Sequence, residues 1–141
     1  MNNATLVLLL QIAGLLHIGL MCAGLAMPKV VNLYQHVGLL PVFIRRLFYV
    51  YYAFIALCLV SFGAITFFYA VPLAGGDALA RALCIFLTVF WTLRLIAAVF
   101  IFDVRPYLTS PWLRLGYHST SLAFIYLPAV YVLAAWKGGP P

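Results

Sequence analysis

The stretch LARALCIFLTVFWTLRLIAAVFIF, from Leu79 to Phe102, decides the fold class of this chain. Its charged residues are Arg81, near its start, and Arg94, well inside it. A helix of about 20 such apolar residues is long enough to cross the hydrocarbon core of a membrane. Backbone groups in lipid must be hydrogen-bonded within their own segment. The stretch therefore predicts a transmembrane helix.

Three further stretches have the same character: Thr5–Met27, Leu47–Leu73 and Tyr117–Trp136. The chain as a whole is 67% hydrophobic and only 7% charged, which is far outside the range of soluble domains. The four stretches lack the period-two alternation of membrane-spanning strands. We predict an all-α membrane protein, in which four transmembrane helices form an antiparallel bundle and the 141 residues form a single domain.

The charges lie between the spans, and their distribution predicts an orientation. Five basic residues fall in the first and third connections, namely Lys29, Arg45, Arg46, Arg105 and Arg114. Two fall on the other side, Arg81 and Lys137. The positive-inside rule then puts both termini outside and these two connections in the cytoplasm. The net charge of +6 is thus explained without nucleic-acid binding, and we predict an integral protein of a bacterial inner (cytoplasmic) membrane.

The first span is predicted to be retained rather than cleaved as a signal peptide. It has no Lys or Arg before it, and its apolar run is longer than the hydrophobic region of a signal peptide.

Arg94 is the most informative residue within the spans. A charge inside a membrane is costly and usually faces the bundle interior or a cavity. The first and third spans run in the same direction, so His17 lies at a similar depth to Arg94, and Trp91 shares a helix face with Arg94. We predict a buried polar centre of Arg94, His17 and Ser61, with Trp91 beside it, that binds a ligand or cofactor. The alternative is a structural hydrogen-bond network, with Arg94 reaching to the cytoplasmic side.

A second cluster is predicted at the cytoplasmic edge. Asp103 ends the third span and His118 opens the fourth, so the carboxylate could orient the imidazole as a catalytic, proton-handling pair. Arg105 and Arg114 lie between them and are candidates for binding an anion or a lipid headgroup. The same residue types also suit a quinone pocket or an ordinary interfacial belt of aromatic and basic residues.

Histidine in a span also raises the question of a metal. His17 and His118 lie at different depths, so they cannot both ligate one haem within this chain. His17 alone is a candidate ligand to haem iron, with haem b as the cofactor. The cysteines Cys22, Cys58 and Cys84 fall at different depths, and we interpret them as packing residues.

The segment HIGLMCAGLAMPKVVNLYQH, from His17 to His36, resembles the beginning of the small four-span, haem-binding protoporphyrinogen oxidases and the related copper-resistance D-type membrane proteins. The resemblance implies that His17 is a haem ligand and that Arg94, with Trp91 before it, stands where the family has a lysine. His17 lies about one helical turn closer to Pro28 than in the family pattern.

These features favour a multi-pass membrane protein that binds a small ligand or cofactor within its bundle. Haem b and quinone are the candidates, in a redox or respiratory-complex subunit. One alternative is a small membrane enzyme that acts on a lipid or porphyrin at the cytoplasmic face. Another is a non-catalytic assembly partner or an oligomeric transporter subunit. Because no acidic residue lies within the spans to neutralise Arg94, a partner subunit or a homo-oligomer is expected in addition to the lipid bilayer.

Overall fold

The structure is a computed structural model that describes residues 2–102 and 109–137. Its helices in chain order are α1 (Asn3–Val30), α2 (Leu33–Gly38), α3 (Val42–Phe68), α4 (Ala70–Gly75), α5 (Ala78–Phe100) and α6 (Pro111–Lys137). The four long helices, α1, α3, α5 and α6, are each long and apolar enough to cross a membrane. The prediction of an all-α bundle of four membrane-crossing helices is therefore confirmed.

Proline and capping residues explain where several helices begin and end. Pro72 has no N–H to donate to the carbonyl of Phe68, four residues earlier, and its ring crowds that carbonyl. The helix breaks there, so the predicted span Leu47–Leu73 is divided between α3, which ends at Phe68, and α4. Asp77 caps α5, because its carboxylate accepts a hydrogen bond from the backbone N–H of Ala80 at 2.7 Å.

The fourth long helix, α6, begins earlier than predicted, at Pro111 rather than at Tyr117. Proline is well suited to the first position of a helix, where no N–H is needed. Pro111, Arg114 and Gly116 lower the hydropathy of this start despite its two leucines, so a prediction from hydropathy begins the helix later. The added turns extend α6 beyond the predicted apolar span.

The first two long helices form an antiparallel hairpin. Gly14 of α1 lies against Phe67 of α3, and further along α1 the carbonyl of Gly24 accepts a hydrogen bond from the hydroxyl of Tyr52. Later residues of α1 thus contact earlier residues of α3, as expected for an antiparallel pair. The crossing is close, since a Cβ atom added to Gly14 would lie 2.7 Å from the Cβ of Phe67. Small residues allow helices in a membrane to approach in this way.

The last two long helices form a second antiparallel hairpin. Trp91 of α5 packs against Phe124 of α6, with ring centroids 5.8 Å apart. Nearer the start of α5, Ile85 and Val89 meet Val132 and Trp136 at the other end of α6. Hydrogen bonds between described residues join this hairpin to the first one. They link Trp91 to His17, Tyr131 to Thr66, and Tyr126 to the carbonyl of Leu9.

Burial divides the bundle into two halves. The buried residues of the long helices and α4 fall within 6–20, 63–74, 80–91 and 123–134, apart from Pro28 at the end of α1, and we call these segments the packed half. Residues 21–27, 42–62, 92–100 and 111–122 contain no buried side chain, and we call them the open half. Because neighbouring long helices are antiparallel, the four open segments lie at the same end of the bundle, the end predicted to face the cytoplasm.

Candidate functional site

His17 lies in the packed half, close to its boundary with the open half, and is completely buried. Its Nδ1 atom is 2.7 Å from the carbonyl oxygen of Ala13, one turn earlier in α1. A carbonyl can only accept, so Nδ1 carries the proton. The Nε2 atom accepts a hydrogen bond from the indole N–H of Trp91 on α5, with the two nitrogens 3.2 Å apart. An indole N–H can only donate, so both partners select the same neutral tautomer.

Further buried side chains enclose this pair. The ring of Tyr131 lies 6.3 Å from that of His17, centroid to centroid, and its hydroxyl forms a 2.7 Å hydrogen bond with the hydroxyl of Thr66. A Cβ atom added to Gly63 would lie 2.9 Å from the Cβ of His17. Among the described residues, every buried polar side-chain atom has a hydrogen-bond partner. The polar centre is therefore a closed hydrogen-bond network.

The arrangement does not fit the prediction that His17 ligates haem iron. A metal needs an unprotonated ring nitrogen with a free lone pair. Here Nδ1 donates to Ala13, while the lone pair of Nε2 accepts from Trp91. A quinone carbonyl would need a free donor, and the imidazole has none to offer. A metal could reach Nε2 of His17 only after Trp91 had moved away.

The sequence predicts that Arg94 joins His17 in a buried centre, but the structure separates the two residues. Arg94 is exposed, one turn beyond Trp91, on the open side of the boundary between the two halves. Its guanidinium carbon lies 4.9 Å from the ring centroid of Phe124 and 5.4 Å from that of Phe102. Arg94 thus contacts two phenylalanine rings in place of the predicted indole. The indole of Trp91 packs against Phe124 as well.

The chain holds two acidic residues, and one of them, Asp77, is among the described residues. Asp77 caps the opposite end of α5, about 25 Å away along the helix axis. Asp103 lies outside the described residues. Within the described part of the chain, Arg94 therefore faces no carboxylate, and its planar edge retains N–H donors that suit a carboxylate or phosphate.

The residues of the predicted cytoplasmic cluster are only partly described. His118 is exposed on α6, with its ring beside that of Tyr117 at a centroid distance of 5.5 Å. Arg114 is exposed in the first turn of α6. Asp103 and Arg105 lie outside the described residues. The catalytic pairing of Asp103 with His118 therefore stays a prediction.

The described residues contain no group of three or more His, Cys, Asp or Glu side chains that could hold a metal ion. The three cysteines are free thiols, of which Cys84 is buried while Cys22 and Cys58 are exposed.

Comparison of the chain with protein-family models, with curated proteins and with solved structures finds no match. The resemblance to the haem-binding oxidases thus rests on the segment from His17 to His36 and stays a hypothesis.

Two features of the site escaped the sequence reasoning. Trp91 was assigned to Arg94 because of their shared helix face, whereas it donates to His17 across two helices. Thr66 and Tyr131 form a second buried contact, whose signal in the sequence is a hydroxyl group on each of two apolar spans.

Proposed function

We propose that this integral membrane protein binds an anionic, membrane-soluble ligand in the open half of its bundle, with Arg94 as the residue that holds the anionic group. The observation that carries the proposal is the position of Arg94. A guanidinium lies within a membrane-crossing helix, with its carbon close to the rings of Phe102 and Phe124, and faces no carboxylate among the described residues. Charges at such positions are costly and commonly mark binding sites.

The chemistry of the Arg94 guanidinium favours an anion with two acceptor oxygens. Two phenylalanine rings lie close to its central carbon, with the centroid of Phe124 at 4.9 Å and that of Phe102 at 5.4 Å. Its N–H donors lie in one plane as a fixed fork. A carboxylate or phosphate can accept two parallel hydrogen bonds from such a fork. Arg94 lies six residues before the end of α5, about 9 Å along its axis, so its long side chain can meet an anion near the headgroup level.

The surroundings favour an amphiphile over a water-soluble anion. Exposed apolar side chains line the open half on several helices, among them Phe54, Leu93 and Leu122. They would contact an acyl or isoprenoid chain while Arg94 holds the charged head. The closed network around His17 bounds this region on the packed side, so the ligand enters the open half without disturbing the core.

Native mass spectrometry of the detergent-purified protein tests the proposal. We expect the wild-type protein to retain an amphiphile that Arg94→Gln loses. Loss of a hydrogen bond to a charged group costs about 1.5–3 kcal/mol, which corresponds to a 10- to 100-fold weaker complex. Arg94→Lys keeps the charge without the two-pronged geometry and should bind with intermediate strength. Arg81→Gln, on the same helix in the packed half, is the matched control.

Three outcomes would count against the proposal. Equal retention by wild type and Arg94→Gln would show that the guanidinium does not hold the ligand. A co-purifying protein lost only in Arg94→Gln would identify an acidic partner subunit instead. The third outcome is a wild type that holds no ligand and whose stability is lowered equally by Asp103→Asn and Arg94→Gln. That result would show that Asp103 of the same chain neutralises Arg94.

A further inference from the structure

A second polar feature lies away from Arg94, at the junction of α1 and α2. A hollow of about 320 Å³ is lined there by Pro28, Lys29, Asn32, Tyr34 and Gln35. We propose that this hollow binds the phosphate of an anionic phospholipid headgroup. The inference is independent of the site at Arg94, which involves other helices.

The backbone of the junction fixes the shape of the hollow. Asn32 adopts the left-handed conformation, with φ 50° and ψ 40°, so the chain turns sharply between α1 and α2. Asparagine is one of the few residues that tolerate this conformation. The backbone carbonyl of Asn32 is 3.0 Å from Nδ1 of His36, which ties the turn to the first residues of α2. Val37 is buried and anchors the other side of this short helix.

The lining has the chemistry of a phosphate site. Lys29 supplies an ammonium group, Asn32 and Gln35 supply amide N–H groups, and Tyr34 supplies a hydroxyl. None of the described residues that line the hollow is acidic. Within the described residues, no hydrogen bond or ion pair engages the side chains of Lys29, Asn32 and Gln35. These donors are therefore available for an anion.

The location of the hollow indicates a lipid rather than a soluble anion. It lies where a membrane-crossing helix ends and a six-residue helix follows, the level at which headgroups are expected. The same end of the bundle carries Arg45 and Arg46 at the start of α3. Basic clusters beside a span attract anionic lipids, and each Lys or Arg near the surface contributes enough to change binding about fivefold.

Lipid retention by the full-length protein tests this site. The protein is reconstituted in nanodiscs that contain phosphatidylglycerol and phosphatidylcholine in equal amounts, released into detergent, and its retained lipids are counted by native mass spectrometry. We expect a preference for phosphatidylglycerol that falls at least about tenfold in Lys29→Gln, the loss expected for a direct hydrogen bond to a charged group. Gln35→Ala, which removes an amide donor and leaves the charge, should lower the preference by a smaller factor.

Two controls separate a specific site from general attraction. Arg46→Gln removes a neighbouring charge that does not line the hollow, and Lys137→Gln removes a lysine at the opposite end of the bundle. Lys137→Gln should keep the preference, and Arg46→Gln should lower it by a smaller factor than Lys29→Gln does. A loss in Arg46→Gln equal to that in Lys29→Gln would overturn the proposal in favour of diffuse charge attraction. Displacement of phosphatidylglycerol by millimolar inorganic phosphate would overturn it in favour of a site for free phosphate.

Discussion

The indole N–H of Trp91 donates a hydrogen bond to Nε2 of His17 over 3.2 Å, across two helices and 74 positions of sequence. This contact joins the two helical hairpins at the point where the packed half ends. It uses the one imidazole nitrogen that a ligand or metal could otherwise reach. The histidine that the sequence singled out as a ligand thus has a structural role in this arrangement.

Trp91→Phe tests the strength of this contact. The substitution keeps an aromatic ring but leaves Nε2 of the buried His17 without a donor. An unsatisfied buried acceptor costs about 1–3 kcal/mol, so we expect a clear fall in the unfolding free energy measured by SDS titration. Trp112→Phe is the control, because Trp112 is 80% exposed and its replacement should change stability by less than about 0.5 kcal/mol. Equal stability of the two variants would contradict a structural role for the pair.

The hydroxyl pair of Thr66 and Tyr131 predicts measurable coupling between α3 and α6. Thr66→Val and Tyr131→Phe each remove one partner of a buried 2.7 Å hydrogen bond. Because the second substitution then has no bond left to break, the double variant should lose less stability than the sum of the single ones. Such coupling within membranes is about 0.6 kcal/mol on average and reaches about 1.7 kcal/mol. Strictly additive effects would show that the hydroxyls do not interact.

The crossing of α1 and α3 predicts different effects of alanine at two glycines of one helix. A Cβ atom at Gly14 would lie 2.7 Å from Phe67 Cβ and 2.9 Å from its backbone nitrogen, whereas one at Gly19 would meet nothing within 4 Å. We expect Gly14→Ala to cost about 1–3 kcal/mol through overpacking. Gly19→Ala should be neutral or slightly stabilising, since alanine favours helix. Similar melting temperatures for both variants in detergent would contradict the close crossing.

The engagement of both imidazole nitrogens predicts the visible spectrum of the protein. We expect the detergent-purified protein to show no Soret band, either oxidised or after reduction with dithionite. Addition of haem should produce no spectrum of a histidine-ligated haem that depends on His17. A Soret band that sharpens on reduction and disappears in His17→Ala would contradict this expectation. It would show that Trp91 withdraws from His17, and it would favour the resemblance to the haem-binding oxidases.

The sequence was sufficient for the architecture because membrane helices are specified by length and composition. A run such as Leu79–Phe102 has one stable form in lipid, and it appears as α5 with nearly the predicted bounds. The helix break before Ala70 was less evident, although Pro72 explains it through the lost bond to Phe68. Hydropathy treats proline as one more residue of an apolar run, so the predicted span continued through the break.

The partners of the polar side chains were much harder to predict. Their contacts depend on how each helix is rotated about its axis and on where the bundle stops burying its side chains. Trp91 and Arg94 are separated by less than a full turn, yet one is 2% exposed and the other lies on the open side of the boundary. That boundary is created by the packing of all four helices together. Spacing within α5 therefore could not separate the roles of these two residues.

The fluorescence of Trp91 offers the most direct test of the proposed ligand site, because Trp91 lies at the boundary of the open half, one turn before Arg94. In a Trp112→Phe, Trp136→Phe background, Trp91 is the only tryptophan left. Titration with dibromostearate, whose bromine atoms quench tryptophan fluorescence at short range, should give saturable quenching. The uncharged methyl ester should quench weakly, and Arg94→Gln should abolish the difference. Equal quenching by the acid and the ester, unchanged in Arg94→Gln, would contradict the binding of an anionic amphiphile at Arg94.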